Sequence, residues 1–170
     1  MDNYPNHLNE RGEVHMVDVG QKAITERMAR ARGVLHASPQ ICQSVLEGRV
    51  PKGDVLAVSR VAGIMAAKKT GEWIPLCHPL PLTGTEIRIE VGNDAFVVES
   101  QVRTTASTGV EMEALVAVTA SLLTLYDMLK AMDRTMVLSD VVLLEKSGGR
   151  SGHFIREGRD YVENSDSHEQ

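Results

Sequence analysis

From Gly109 to Lys130 the apolar residues Leu115, Val118, Leu122, Leu125, Tyr126 and Leu129 return at gaps of three and four. That spacing predicts one long helix with a greasy face. Glu113 and Asp127 fall about 40° apart around its axis and about four turns apart along it, with Lys130 a turn beyond. A second periodicity, of two, marks Thr85–Val91 and Ala95–Arg103 on either side of Gly92-Asn93-Asp94, a predicted hairpin. Ile24–Ala37 also alternates, setting Met28, Arg30, Arg32 and Val34 against Ala29, Ala31, Gly33 and Leu35, and reads as a strand. Its Ala, Arg, Glu and Met favour a helix, so that alternative competes.

Ser38-Pro39 is a helix start, Ser as cap and Pro in the first turn, and Gly48 ends the segment after Glu47. Gly53-Asp54 opens another helix running to about Lys69. Ala57, Ala62, Gly63, Ala66 and Ala67 make it small-residued and apolar nearly all round, which predicts burial on two sides and a subunit interface. A last strand covers Met136–Glu145. The order strand, two helices, two strands, helix, strand implies an α+β fold, with an antiparallel sheet covered by helices on one face in a ferredoxin-like arrangement. We expect a flexible segment over 1–13, a single domain over 14–156 and a flexible polar tail over 157–170.

The 170-residue length suffices for one core, which must be built from Val, Leu, Ile, Met and Ala because aromatics are 4% of the chain. A net charge of −5 argues against a nucleic-acid binder. Cys42 and Cys77 form no metal or disulfide spacing, no membrane-spanning apolar run is predicted, and no signal peptide is expected in the polar first residues. A cytoplasmic protein is expected, without a membrane partner.

Five places can carry chemistry. Lys52, just ahead of a helix start, suits an anion, or is an exposed lysine beside a capping Asp54. Trp73–Leu82 holds three prolines, a stiff path that would fix His78 for proton transfer or base recognition, or merely as a core histidine. Cys77 and His78 should point to opposite sides, which disfavours a shared metal. The hydroxyls of Thr104–Thr108 can cap the long helix or touch phosphate. Lys146–Gly152 is glycine-rich with Lys and Arg, fit for an anion or simply a flexible exit. Asp127 and Lys130 form either a surface pair or, in a partly buried pocket with Lys52, a proton-transfer set.

The strings Met16-Val-Asp-Val, Lys52-Gly-Asp, Ala62-Gly-Ile-Met-Ala-Ala-Lys, Ile74-Pro-Leu-Cys-His-Pro-Leu, Thr108-Gly-Val-Glu-Met-Glu-Ala-Leu, Leu125-Tyr-Asp-Met and Leu144-Glu-Lys-Ser-Gly-Gly resemble the cyclic pyranopterin monophosphate synthase family of molybdenum-cofactor biosynthesis, over residues 12 to 153. The resemblance implies conversion of 3′,8-cyclo-7,8-dihydroguanosine 5′-triphosphate to cyclic pyranopterin monophosphate, with loss of pyrophosphate. It implies Asp127, Lys52 and Lys130 as the catalytic set. Leu76, Cys77, His78, Met112 and Glu113 would contact substrate, and Arg27 and Lys146 the triphosphate. It also implies no organic cofactor and no protein-bound metal (a divalent cation such as magnesium can accompany the triphosphate), and a homohexamer built as a trimer of dimers with sites at subunit boundaries. Two other readings stand beside it: a non-catalytic nucleotide- or pterin-binding module, and a scaffold subunit that docks through its Ala/Gly-rich helix.

Overall fold

The computed structural model describes residues 7–9, 11–150 and 152–157. Residues 1–6, 10, 151 and 158–170 lie outside it, and with them most of the two segments expected to be flexible. Within the first of those segments, Leu8 bridges Val14 and the Asn9 side chain accepts the N–H groups of Arg11 and Glu13.

The elements run β1 (Thr25–His36), α1 (Pro39–Leu46), α2 (Val55–Ala67), α3 (Thr70–Trp73), β2 (Leu82–Val91), β3 (Ala95–Ala106), α4 (Glu111–Leu129), β4 (Val137–Ser147) and β5 (Phe154–Ile155). The sheet order is β2-β3-β1-β4-β5, every pair antiparallel. This is the predicted ferredoxin-like arrangement: each βαβ crossover skips one strand, and α2 and α4 lie over one face. The strand reading of Ile24–Ala37 holds. The helix α3 and the two-residue β5 are additions, too short to show a period in sequence.

Alternation decides which face the helices cover. Phe96, Val98, Ser100, Val102 and Thr104 of β3 are buried, as are Ala29, Ala31 and Leu35 of β1. The opposite face is polar: Arg30 sits between Glu99 (3.5 Å) and Glu145 (3.3 Å), so that side needs no helical cover. On the covered face, β1 is lined with small residues where α4 crosses it. A Cβ on Gly33 would come within 2.7 Å of Leu122 Cδ1 and 2.8 Å of Val118 Cγ1. Similarly α2 meets α4 through Gly63, whose absent Cβ would lie 2.9 Å from the Ala117 carbonyl oxygen.

Only one side of α2 is buried within the chain, through Val55, Ser59, Gly63, Ala66 and Ala67. The two-sided burial expected for it is therefore not met by this chain alone. The outer side exposes Val58, Val61 and Met65. The long helix α4 is apolar and long enough by composition to cross a bilayer, contrary to the sequence reading, but 61% of its apolar window is buried in the core.

Capping follows the prediction in part. Asp54 accepts the Ala57 N–H at 2.9 Å, as expected. Ser38 occupies the N-cap of α1 with Pro behind it but makes no side-chain bond. At α4 the cap is Val110, because β3 continues through Ala106 and carries the Thr104 and Thr105 hydroxyls away from the helix start.

The Gly63→Ala variant tests the helix contact. Alanine favours a helix interior by about 1 kcal/mol over glycine, yet the new methyl must displace backbone, and overpacking typically costs about 1–3 kcal/mol. We expect net destabilisation in urea unfolding; a midpoint equal to or above that of the parent would mean that α2 can shift freely.

Candidate active site

Two groups of side chains stand at opposite ends of α4. At its C-terminal end Lys130 Nζ lies 2.6 Å from Asp127 Oδ1, and Lys52 Nζ lies 3.6 Å from Asp127 Oδ2. Lys52 arrives from the turn ahead of α2, where Gly53 adopts φ +87° and donates its N–H to Val50 O at 3.1 Å. Its ammonium also donates to the Asp127 carbonyl at 2.8 Å, satisfying one of the last carbonyls of the helix. Lys130, through its hydrogen bond and charge, and then Lys52 hold the Asp127 carboxyl below the usual carboxylate range, so it is ionised at neutral pH. The predicted trio thus meets in space. It is not in a partly buried pocket: the side chains are 43%, 59% and 49% exposed for Lys52, Asp127 and Lys130.

At the N-terminal end a cavity of about 380 Å³ is lined by Leu76, Cys77 and His78 from the proline-rich loop and by Thr108, Gly109, Met112 and Glu113 from the start of α4. All five side chains expected to contact substrate meet here. The loop is held by Thr104 Oγ1, which donates to Pro81 O at 2.6 Å. A turn in which Cys77 N–H donates to Ile74 O at 3.0 Å breaks the extended path. Cys77 and His78 both line the cavity. Burial, and then the charge of Glu113, push the Cys77 thiol up, so it is protonated and poorly nucleophilic.

Glu113 itself is 4% exposed, and burial pushes its carboxyl up from 4.5 to about 7. Such a group holds its proton in an apolar setting and exchanges it near neutrality.

Arg27 and Lys146 do not line this cavity but lie at the same end of the sheet. Arg27 Nη2 donates to Ser107 O at 3.4 Å, while its Nε is buried without a partner. Gly148 (φ +92°) and Gly149 (φ +79°) fold directly over the Arg27 side chain, where a Cβ on Gly149 would overlap the guanidinium. The glycine-rich stretch is thus a cover for Arg27 rather than a loose exit. Lys146 pairs across Ala29 on one side and Phe154 on the other. Sequence reasoning did not single out Lys22, which joins Val17 and Val19 on the cavity wall; the turn from Lys22 N–H to Val19 O (3.0 Å) brings it there. Nothing in its local pattern marked it.

Fourteen residues separate Glu113 from Asp127 (127 − 113), which at ~1.5 Å per residue is about 21 Å of helix. The single chain therefore holds two half-sites apart: a cavity with a protonatable carboxyl in its wall, and an exposed carboxylate–diamine cluster. Together they have the parts of an acid–base enzyme acting on a small anionic molecule.

Comparison with known proteins agrees with that class. The chain matches the MoaC family over residues 16–149 and belongs to it. It is 56% identical to the cyclic pyranopterin monophosphate synthase of Thermomicrobium roseum over 153 residues, covering 89% of this chain and 92% of that one. Identity is 54% over 156 residues to the protein of the same name from Pelotomaculum thermopropionicum, covering 91% and 92%. It is 52% over 152 residues to that from Desulfitobacterium hafniense, covering 89% and 93%.

The raised Glu113 carboxyl gives stability a pH dependence of known sign. Its folded value lies above its unfolded value, so its contribution is fully present below 4.5 and is lost as pH rises through about 7. At ~1.4 kcal/mol per unit this amounts to about 3 kcal/mol. Glu113→Gln should remove that decline, so that the variant overtakes the parent in thermal unfolding at pH 8 but not at pH 4; parallel curves from pH 4 to 8 would refute the assignment.

Proposed function

We propose that this chain is a cyclic pyranopterin monophosphate synthase, converting 3′,8-cyclo-7,8-dihydroguanosine 5′-triphosphate to cyclic pyranopterin monophosphate and pyrophosphate. The observation that carries the reading is the gathering of Leu76, Cys77, His78, Met112 and Glu113 around one cavity in a member of this family. The rearrangement opens and recloses a ring without net redox change, so it calls for proton transfer and charge neutralisation, and no redox cofactor is assigned. A divalent cation such as magnesium can enter with the triphosphate as part of the substrate.

In this reading Asp127 orients Lys130 and Lys52, and one of the two lysines moves the protons of ring opening and closure. A sugar hydroxyl then attacks the α-phosphorus. The new P–O bond closes the cyclic phosphate as the bond to the β-phosphate oxygen breaks and pyrophosphate departs. Arg27 and Lys146 neutralise its charge.

The Lys52–Asp127–Lys130 cluster lies about 21 Å along α4 from Glu113 in the cavity, too far for one small substrate. We assign each site to two subunits: the Lys52–Asp127–Lys130 cluster of one chain closes the cavity of another. The exposed apolar side of α2 (Val58, Val61, Met65) supplies a surface for assembly, and a homohexamer built as a trimer of dimers accommodates such pairs. Two free thiols, Cys42 and Cys77, suit the reducing cytoplasm, where we place the protein.

Pyrophosphate release and pterin formation from the cyclic triphosphate test the activity. The parent should turn over, and Lys52→Ala and Asp127→Asn should each lose at least about a hundred-fold, the usual scale of general acid–base catalysis. Retained turnover in Lys52→Arg would exclude proton transfer by Lys52, since arginine stays protonated.

Shared sites make a second expectation. Lys52→Ala and His78→Ala, each inactive alone, should recover about a quarter of parental activity when co-expressed in equal amounts, because random pairing leaves one intact site in half of the dimers. No recovery in verified mixed oligomers would place each site within one chain.

A further inference from the structure

Residues 14–24 run from the Leu8–Val14 bridge to the start of β1 and give Val17, Val19 and Lys22 to the wall of the cavity of about 380 Å³. Nothing polar ties them to the body of the domain. Among the described residues their hydrogen bonds all end within residues 7–24: His15 N–H to His7 O (3.0 Å), Gly20 N–H to Asp18 Oδ1 (2.8 Å) and Lys22 N–H to Val19 O (3.0 Å). No ion pair among the described residues involves the segment. Val17 and Val19 are half-buried and every other residue of 14–24 is exposed. Anchorage begins only at Thr25, which pairs with Ala106 in the sheet.

Two valines against an apolar wall attract without direction, so they hold the segment there without fixing it. A stretch with exposed backbone and few buried contacts opens at little cost in free energy. Lys22 changes that balance once an anion is present. It is the only lysine or arginine on the cavity wall among the described residues, and it pairs with neither Glu111 nor Glu113, which line the same cavity. Its ammonium is therefore available to a ligand, and charge-assisted hydrogen bonds to phosphate oxygens are short and strong. A ligand shifts an opening equilibrium only through a group that it meets in one state and not in the other. Lys22, carried by the segment itself, is such a group.

We infer that residues 14–24 are a lid on the cavity, and that a phosphate chain bound there closes it through Lys22. This rests on the reading that the cavity takes a triphosphate. It adds to that reading a moving part, of the kind by which enzymes shield a reaction from water, and a residue outside the catalytic set.

Hydrogen exchange read by mass spectrometry on the full-length protein tests the lid. Asp127→Asn, expected to be inactive, keeps the cyclic triphosphate intact during labelling. Without ligand, peptides covering 14–24 should exchange within seconds while β1 and α4 stay protected. With the cyclic triphosphate at saturation, its occupancy fixed by calorimetry, exchange in 14–24 should slow at least about ten-fold. Lys22→Gln in the same background should bind more weakly and lose the slowing even when saturated, whereas Lys22→Arg keeps the charge and the slowing. Neither variant should alter circular dichroism or the exchange of the free protein. Protection of 14–24 without ligand, or full occupancy without slowing, would overturn the lid; slowing that survives Lys22→Gln would overturn the part given to Lys22. Pyrophosphate release by the parent, followed separately, keeps the two readings apart. Turnover with an unresponsive segment removes the lid and leaves the synthase, closure without turnover does the reverse, and a cyclic triphosphate that does not bind removes both.

Discussion

The close approach of α4 to its neighbours is the constraint on which the rest depends. Ala29, Ala31 and Gly33 of β1 leave the space into which Val118 and Leu122 pack, and Gly63 lets α2 pass against the backbone of α4 at Ala117. Close approach at small residues brings the backbones and side chains of neighbouring elements within van der Waals range, where dispersion is strongest. The result is a stiff helix fixed to the sheet along most of its length. Both half-sites hang from it, so their spacing is set by helix geometry rather than by loop conformation.

Different environments at the two ends of α4 give similar residues opposite chemistry. Glu113 lies under the proline-rich loop, where loss of water favours its neutral form. Asp127, on the last turn and in solvent, is kept ionised by two ammonium groups. A pair of carboxyls one helix apart, the first able to carry a proton at neutral pH and the second not, is a division of labour that acid–base enzymes use. The position of Arg27 follows the same logic of enclosure. Its guanidinium is covered by Gly148 and Gly149, which only residues lacking Cβ permit, and it is presented at the cavity's end of the sheet.

Much of this was legible in the chain. Alternation in Ile24–Ala37 and around Gly92-Asn93-Asp94, and the three-and-four spacing of α4, are local consequences of backbone periods, and each element appears within a few residues of its expected limits. The four-residue α3 and the two-residue β5 were invisible because neither is long enough to repeat its period. The predicted hydroxyl cap of α4 failed for a related reason. Pairing of β3 with β1 runs through Ala106, and strand pairing won over capping at Thr104 and Thr105. The apolar outer side of α2 was also visible, but its burial is not something one chain can supply.

Residue identity by itself determined which groups can do chemistry: the motifs around Lys52, His78, Glu113 and Asp127 and the membership in one family are properties of order along the chain. Their grouping was decided only by tertiary structure. The axial separation of about 21 Å between Glu113 and Asp127 was already set by their spacing along one helix, but what packs around each was not. Lys52, distant in sequence, joins Asp127 because the turn before α2 is packed beside the last turn of α4. Sequence spacing encodes direction around an element, whereas burial, and with it the proton on Glu113, depends on what other segments are laid over that element.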